Sequence, residues 1–154
     1  MKLMLLTVGK IKDRQMYTIA NRYIERSCQF APLKWETVSE FSTRGNVERA
    51  KQKETENLRK VLKQRDFVVL LDEKGKTMSS TGLSRFLSDS MSNTPGRIVF
   101  IIGGAYGVCS SLHERADMLL SLSRMTFPHE LCTVFLAEQL YRALSIIAGS
   151  SYHH

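Results

Sequence analysis

The residues whose types and spacing could do chemistry lie mostly in the second half of this chain. Glu138 and Arg142 stand four residues apart inside a long apolar run. On an exposed helix such a pair contributes only about 0.3–0.5 kcal/mol. Buried or at an interface, the guanidinium becomes a fixed cation with a planar fork of donors, suited to a polyanionic or planar ligand. Gly103-Gly104-Ala105-Tyr106-Gly107 follows the apolar run Arg97 to Ile102, and glycines there let a ligand or another backbone approach closely because no Cβ intervenes. Two further apolar runs end in informative loops, Leu71-Asp72 and Leu122 to Phe127. Ligands of open α/β sheets bind at the carboxyl ends of strands, so convergence of these three ends would make one pocket. The tail, Ser150 to His154, adds Tyr152 and two imidazoles, too few to be a purification tag though a cloning remnant has that form.

Several chemistries are excluded by spacing. The glycines are not a dinucleotide fingerprint, which would follow the first strand, where Gly9 stands alone; no GxxxxGK[ST] loop occurs either. The three cysteines, Cys28, Cys109 and Cys132, form no CxxC pair, so neither a zinc site nor a redox dithiol is supported. An odd cysteine count without a signal peptide fits a reducing cytoplasm.

The elements that must position these groups alternate along the chain. Strands are expected at Lys2 to Val8, Leu33 to Phe41, Phe67 to Leu71, Arg97 to Ile102 and Met118 to Leu122. Between them, Met16, Ile19, Ala20, Tyr23 and Ile24 mark a helix from Asp13 to about Ser27, and Asn46 caps a second running to about Lys63. The basic outer face of that second helix, with Lys51, Lys53, Arg59, Lys60 and Lys63, reads as solvated surface ahead of direct RNA contact. Ser42 to Gly45 and Glu73 to Ser79 read as loops. Ser79 or Ser80 caps a third helix through Met91, and Ser111 with Glu114 suggests a capping box for a short fourth helix to about Asp117. Pro128 in the first turn and Gly149 past the end bound a last helix, His129 to about Ala148. This βα alternation predicts one domain over residues 1–154, an α/β fold with a mostly parallel sheet sandwiched by helices. The last helix is apolar nearly all round, more than a chain of this size could surround, which predicts a partner surface, most simply a second copy.

A length of 154 residues with 43% hydrophobic and 24% charged residues suits a globular domain with a real core. No apolar run reaches membrane-spanning length, and MKLMLLTVGK is too short for a signal peptide. The net charge of +7, from 22 Lys and Arg against 15 Asp and Glu, fits a polyanionic partner such as nucleic acid or an anionic membrane face. An aromatic fraction of 8% argues against a broad base-stacking platform.

Three stretches carry a resemblance. LLDEKGKTMSS (Leu70 to Ser80), FIIGGAYG (Phe100 to Gly107) and LSLSRMTFPHELCTVFLAEQLYRALSIIAGSSYHH (Leu120 to His154), with the MKLMLLTVGK start, resemble the bacterial RlmH family of SPOUT-class methyltransferases over essentially the whole chain. The resemblance implies methyl transfer from S-adenosyl-L-methionine to N3 of a pseudouridine in large-subunit ribosomal RNA, in the cytoplasm and on the assembled ribosome. It also implies a homodimer through the C-terminal helix and a trefoil knot over roughly residues 67–154, with neither membrane nor metal involved. Family members hold the cofactor with backbone groups that match Leu71, Gly103, Leu122, Ser123, Arg124, Met125, Thr126 and Phe127 here, with Arg124 contributing backbone only.

For this chemistry Arg142 is the first candidate to stabilise the anion developing on the imide carbonyls, with Glu138 orienting it. His129, Tyr152 or His153 could take the N3 proton, and the sequence does not choose among them. For His129 the plainer role is a polar residue in a helix's first turn. The resemblance favours Tyr152 and His153 lying over the active site, that of the other subunit included. Two rival functions come from other classes: a nucleotide-dependent oxidoreductase, disfavoured by the missing fingerprint, and a non-catalytic ribosome- or RNA-binding module. Another RNA methyltransferase of the same fold is a third.

Overall fold

The first and fourth expected runs become strands covered on both faces, as their composition suggests, while the edge strand at Leu33–Val38 keeps a wetter side with Lys34 exposed. In the computed structural model, which describes residues 3–42 and 44–153, β1 (Leu3–Val8), β2 (Leu33–Val38), β3 (Phe67–Thr77), β4 (Ile98–Ile102) and β5 (Met118–Ser121) form one sheet in the order β2-β1-β4-β3-β5. Every pairing is parallel, from Leu3 opposite Leu33 and Ile98 to Val69 opposite Met118. Among the described residues five helices accompany the sheet: α1 (Arg14–Ser27), α2 (Val47–Val61), α3 (Ser80–Asn93), α4 (Ser110–Arg115) and α5 (His129–Ile147). The Lys2 start of the first strand, Thr43 of the loop after the second, and His154 of the tail lie outside the described residues.

Strand alternation divides the core into two layers. Leu3, Leu5, Val69, Ile98, Phe100 and Leu120 face α1, α3 and α5, meeting Ile24, Leu87, Leu136 and Leu140. Met4, Leu6, Val68, Leu70, Val99 and Ile101 face the other way, toward Leu58 of α2 and Leu112 of α4. Helix starts follow the sequence signals: Asp13, Asn46 and Ser79 accept from the backbone N–H of Met16, Arg49 and Gly82. At the end of α5, Gly149 takes φ +68° and Ser150 N–H donates to the Ser145 carbonyl at 2.9 Å.

Four boundaries differ from expectation. The second strand stops at Val38, not Phe41, because its neighbour β1 has already turned at Gly9, whose N–H takes the Val38 carbonyl. The second helix ends at Val61, where Leu62 turns extended. The capping box of Ser111 and Glu114 does not form; Cys109 is the N-cap of α4, without a side-chain cap bond, and α4 ends at Arg115. The expected loop Glu73–Ser79 is largely strand: β3 leaves the sheet after Leu71, and Lys76 and Thr77 rejoin β5 opposite Leu120 and Ser121. The return needs Gly75, where a Cβ would lie 2.6 Å from the Leu119 carbonyl carbon.

α5 is better covered than expected. It packs against α1, α3 and β4, which bury Leu136, Ala137, Leu140, Tyr141, Ala143 and Leu144. A strip remains open, with Leu131 39% and Phe135 38% exposed.

One buried ion pair ties the amino ends of two central strands. Asp66, 2% exposed in its side chain, accepts from Arg97 Nε at 3.0 Å and from Lys63 N–H at 2.7 Å, while Arg97 Nη2 also donates to the Val61 carbonyl. Burial pushes this carboxyl up, but the hydrogen bonds from Arg97 and Lys63 outweigh it and leave it below the usual carboxylate range. A carboxylate lowered on folding stabilises the fold above its unfolded value, near 3.9, and that stability is lost as pH falls through the folded value. Asp66→Asn should therefore destabilise the protein by about 3 kcal/mol at neutral pH, since Arg97 is left without its counter-charge. Chemical denaturation across pH 2–7 should show the variant losing less stability than the parent on acidification.

Candidate active site

The carboxyl ends of β4, β3 and β5, adjacent in the sheet, open into one cleft of about 660 Å³. This is the convergence the three strand ends suggested. Leu71 comes from the end of β3, Gly103 from the turn after β4, and Leu122, Ser123, Met125, Thr126 and Phe127 from the loop after β5; all line the cleft. Arg124 does not line it, and its side chain is exposed. The walls are mostly apolar, with Ile102, Val108 and Leu119 among them. Cys132 belongs to the same lining, and burial pushes its thiol up to about 11, so it stays neutral.

The glycine turn is held from two sides. From α5, His129 Nδ1–H donates to the Gly103 carbonyl at 2.9 Å, which assigns the proton to Nδ1. Its Nε2 is buried without a hydrogen-bond partner among the described residues. From α2 come two buried polar side chains. Thr55 Oγ1 accepts from Cys109 N–H at 3.0 Å, and Glu54 Oε2 lies against Gly104, where a Cβ would stand 2.6 Å away. Glu54 is 7% exposed; burial pushes its carboxyl up, against the Phe41 N–H bond at 2.9 Å. Gly103 is equally confined, its notional Cβ being 2.8 Å from Val108 Cγ1.

Where β3 leaves the sheet, Asp72 Oδ1 accepts from Lys74 N–H at 2.8 Å and Oδ2 from His113 Nε2–H at 2.9 Å. These two bonds, that from His113 first, hold the Asp72 carboxyl below the usual range. The pair clamps the β3 excursion to α4 across the cleft. Sequence reasoning placed Asp72 at the pocket but missed His113, Glu54 and Thr55. Their only signal was polarity on helix faces otherwise apolar.

The four residues assigned to catalysis lie elsewhere. Arg142 donates to Glu138 Oε1 through Nε at 2.9 Å and Nη2 at 2.6 Å, and its guanidinium sits 4.8 Å from the centre of the Tyr152 ring. The Tyr152 hydroxyl is 3.3 Å from Glu138 Oε1 and 3.5 Å from the Tyr23 hydroxyl. The bond with Tyr23, then burial, raises the phenol above its usual value, so within one chain Tyr152 stays a protonated phenol. His153 is exposed. This cluster and the cleft share no lining residue. Along α5, at 1.5 Å per residue, Arg142 is about 20 Å from His129.

A parallel sheet with an apolar cleft across three adjacent strand ends, floored by a glycine turn and free backbone groups, is the arrangement of an α/β enzyme that takes a small cofactor or substrate there. The chain belongs to the SPOUT methyltransferase family: the family model described as "Predicted SPOUT methyltransferase" matches residues 1–153. Among curated proteins it is 38% identical over 156 residues to the ribosomal RNA large subunit methyltransferase H of Bacteroides fragilis, covering 100% of this chain and 99% of that protein. With the protein of the same name from Geotalea daltonii it shares 39% identity over 154 residues, covering both in full. The fold is shared with a probable methyltransferase from Bordetella pertussis Tohama I, with a TM-score of 0.56 at 10% identity over 93% of each chain. A probable methylase family protein from Haemophilus influenzae Rd KW20 gives 0.52 at 8% identity, over 99% of this chain and 70% of that one.

A branched side chain at Gly103 would collide with Val108 and displace the glycine turn that lines this cleft. Gly103→Val is expected to weaken methyl-donor binding at least about tenfold by calorimetry, with the far-ultraviolet circular dichroism unchanged. Unaltered affinity would relocate the donor site.

Proposed function

We propose that this protein transfers a methyl group from S-adenosyl-L-methionine to N3 of a pseudouridine in large-subunit ribosomal RNA, and does so as a homodimer with a composite active site. The observation that carries the reading is the single cleft that gathers Leu71, Gly103 and the Leu122–Phe127 loop, apart from Arg124. Its size and mostly apolar walls suit an adenosyl group, and the glycine turn that lines it is fixed by close packing against Val108 and Glu54. Leu71, Gly103, Leu122 and Thr126 would hold the cofactor, which supplies an electrophilic sulfonium methyl. The relatives' name supports ribosomal RNA as the acceptor, and the net charge of +7 agrees with a polyanion.

The chain's own residues have two tasks, alignment of the acceptor nitrogen with the methyl and stabilisation of the imide as its proton leaves. Arg142 has the charge and the donor fork for the second task, and Glu138 fixes its plane through Nε and Nη2. Within one chain Arg142 is too far from the cleft. Antiparallel pairing of two α5 helices about the exposed strip near Phe135 brings Arg142 of one copy beside the first turn of α5, and so the cleft, of the other. Leu131 and Phe135 supply the apolar contact, and Phe135 also stacks on Phe127 of the cleft at 5.8 Å. Pairing also moves Tyr152 and His153 toward the second copy's cleft. The reading includes the knotted threading of residues 67–154 that the family resemblance implies.

Ribosomes from a strain lacking the modification test the reading directly. Labelled methyl should appear on an N3-methylated pseudouridine; no label from an enzyme that binds the donor would refute it. Arg142→Ala should abolish transfer while donor affinity stays within about twofold. At donor concentrations too low to load Gly103→Val, mixing it with Arg142→Ala should restore up to about a quarter of parental activity, because half of randomly paired dimers carry one intact composite site. Inactive mixtures would place the whole site within one chain.

A further inference from the structure

Across the glycine turn from the cleft lies a second hollow of about 370 Å³ that the reading above leaves without a role. Lys12, Arg44 and Lys51 line it, together with Phe41. Tyr106, 59% exposed, forms the ridge between hollow and cleft and borders both.

Cations outnumber carboxylates in the lining of this hollow, three to two. Lys12 and Glu40 lie 3.6 Å apart with both side chains largely exposed, a spacing that leaves the ammonium available to another anion. Lys51 contacts Glu48 at 3.1 Å, yet Glu48 is far out in solvent while Lys51 is largely covered. Arg44 makes no ion pair among the described residues. Glu54 lies buried on the floor, its Oε1 already taken by Phe41 N–H. Three cations thus face two carboxylates, Glu40 exposed and Glu54 buried, beside an open aromatic ring. The hollow is also fixed relative to the cleft: Lys12 N–H donates to Glu130 Oε1 at 2.6 Å, in the first turn of α5 next to His129.

A cationic depression beside an exposed aromatic face suits a nucleic-acid strand, whose phosphates need point charges and whose bases need a flat surface. We propose that this hollow is the subsite for the RNA strand flanking the acceptor nucleotide, with Lys12, Arg44 and Lys51 on its phosphates and Tyr106 stacked on a neighbouring base. The proposal rests on the RNA-methylation reading and adds where, on the same chain as the donor cleft, the strand runs.

The test measures methyl transfer to ribosomes lacking the modification, between about 50 and 200 mM salt, with donor affinity followed by calorimetry. The double variant Arg44→Ala/Lys51→Ala should raise KM for ribosomes about tenfold, leave kcat and donor affinity within about twofold, and reduce the log–log salt slope by about 1.4, the loss of two phosphate contacts on a single strand. Tyr106→Ala should raise KM at least about fivefold, and Tyr106→Phe should restore it because the stacking face is kept. Unchanged KM and salt slope overturn the subsite. A fall in donor affinity in the double variant also overturns it, assigning the hollow to the cofactor. If the parent protein labels no ribosomal RNA while binding the donor, the function itself falls, a result distinct from both.

Discussion

The structure depends on a parallel sheet buried on both faces. No strand of β1 or β4 has a wet side, so their polar backbone is consumed within the ladder and their side chains within two apolar layers. In these two inner strands free backbone groups therefore appear only at the ends. At the carboxyl ends of β4, β3 and β5 those groups face an apolar space, a setting in which a ligand with a flat ring and a few donors and acceptors is held without many specific side chains. The site follows from the burial of the sheet.

The glycine turn is the pivot between this scaffold and the chemistry. It must be small where Gly103 meets Val108 and Gly104 meets Glu54, and it must not move. α5 holds it through His129 and α2 through Glu54 and Thr55, so helices from opposite faces of the sheet meet at one turn. A buried carboxyl and an imidazole with one unpartnered nitrogen are costly features for a turn that only reverses the chain. Their cost is consistent with a turn whose exact position matters, since alignment supplies most of what a methyl transfer needs from the protein.

α5 carries two functions at its two ends. Its first turns close the cleft with His129 and Cys132, while its later turns carry Glu138 and Arg142 under the Tyr152 ring. A rigid helix keeps these ends about 20 Å apart in any conformation of one chain. The proposed pairing of two copies turns that fixed separation into a positioning device, because a two-fold axis places each late turn beside the opposite early turn. The basic hollow beside Tyr106 lies at the same early turn through Lys12 and Glu130, so donor, cation and strand would meet at one place.

Most elements and much of the cleft were legible in the sequence. Runs such as IVFII report burial on two faces, and Asp13, Asn46, Ser79 and Gly149 report helix ends, because these are local energies set by neighbouring residues. The family motifs marked Leu71, Gly103 and the Leu122–Phe127 loop, which, Arg124 apart, line one cleft. What only the tertiary structure decided depends on which distant segments touch. β3 rejoins β5 after a polar excursion because Gly75 fits against the Leu119 backbone, a contact no periodicity records. Glu54 and His113 reach the site because their helices cross particular strand ends. Arg142 is remote from the cleft of its own chain because a straight helix separates them, although the two are close in sequence. Local pattern determines what each segment is; long-range packing determines what it stands beside.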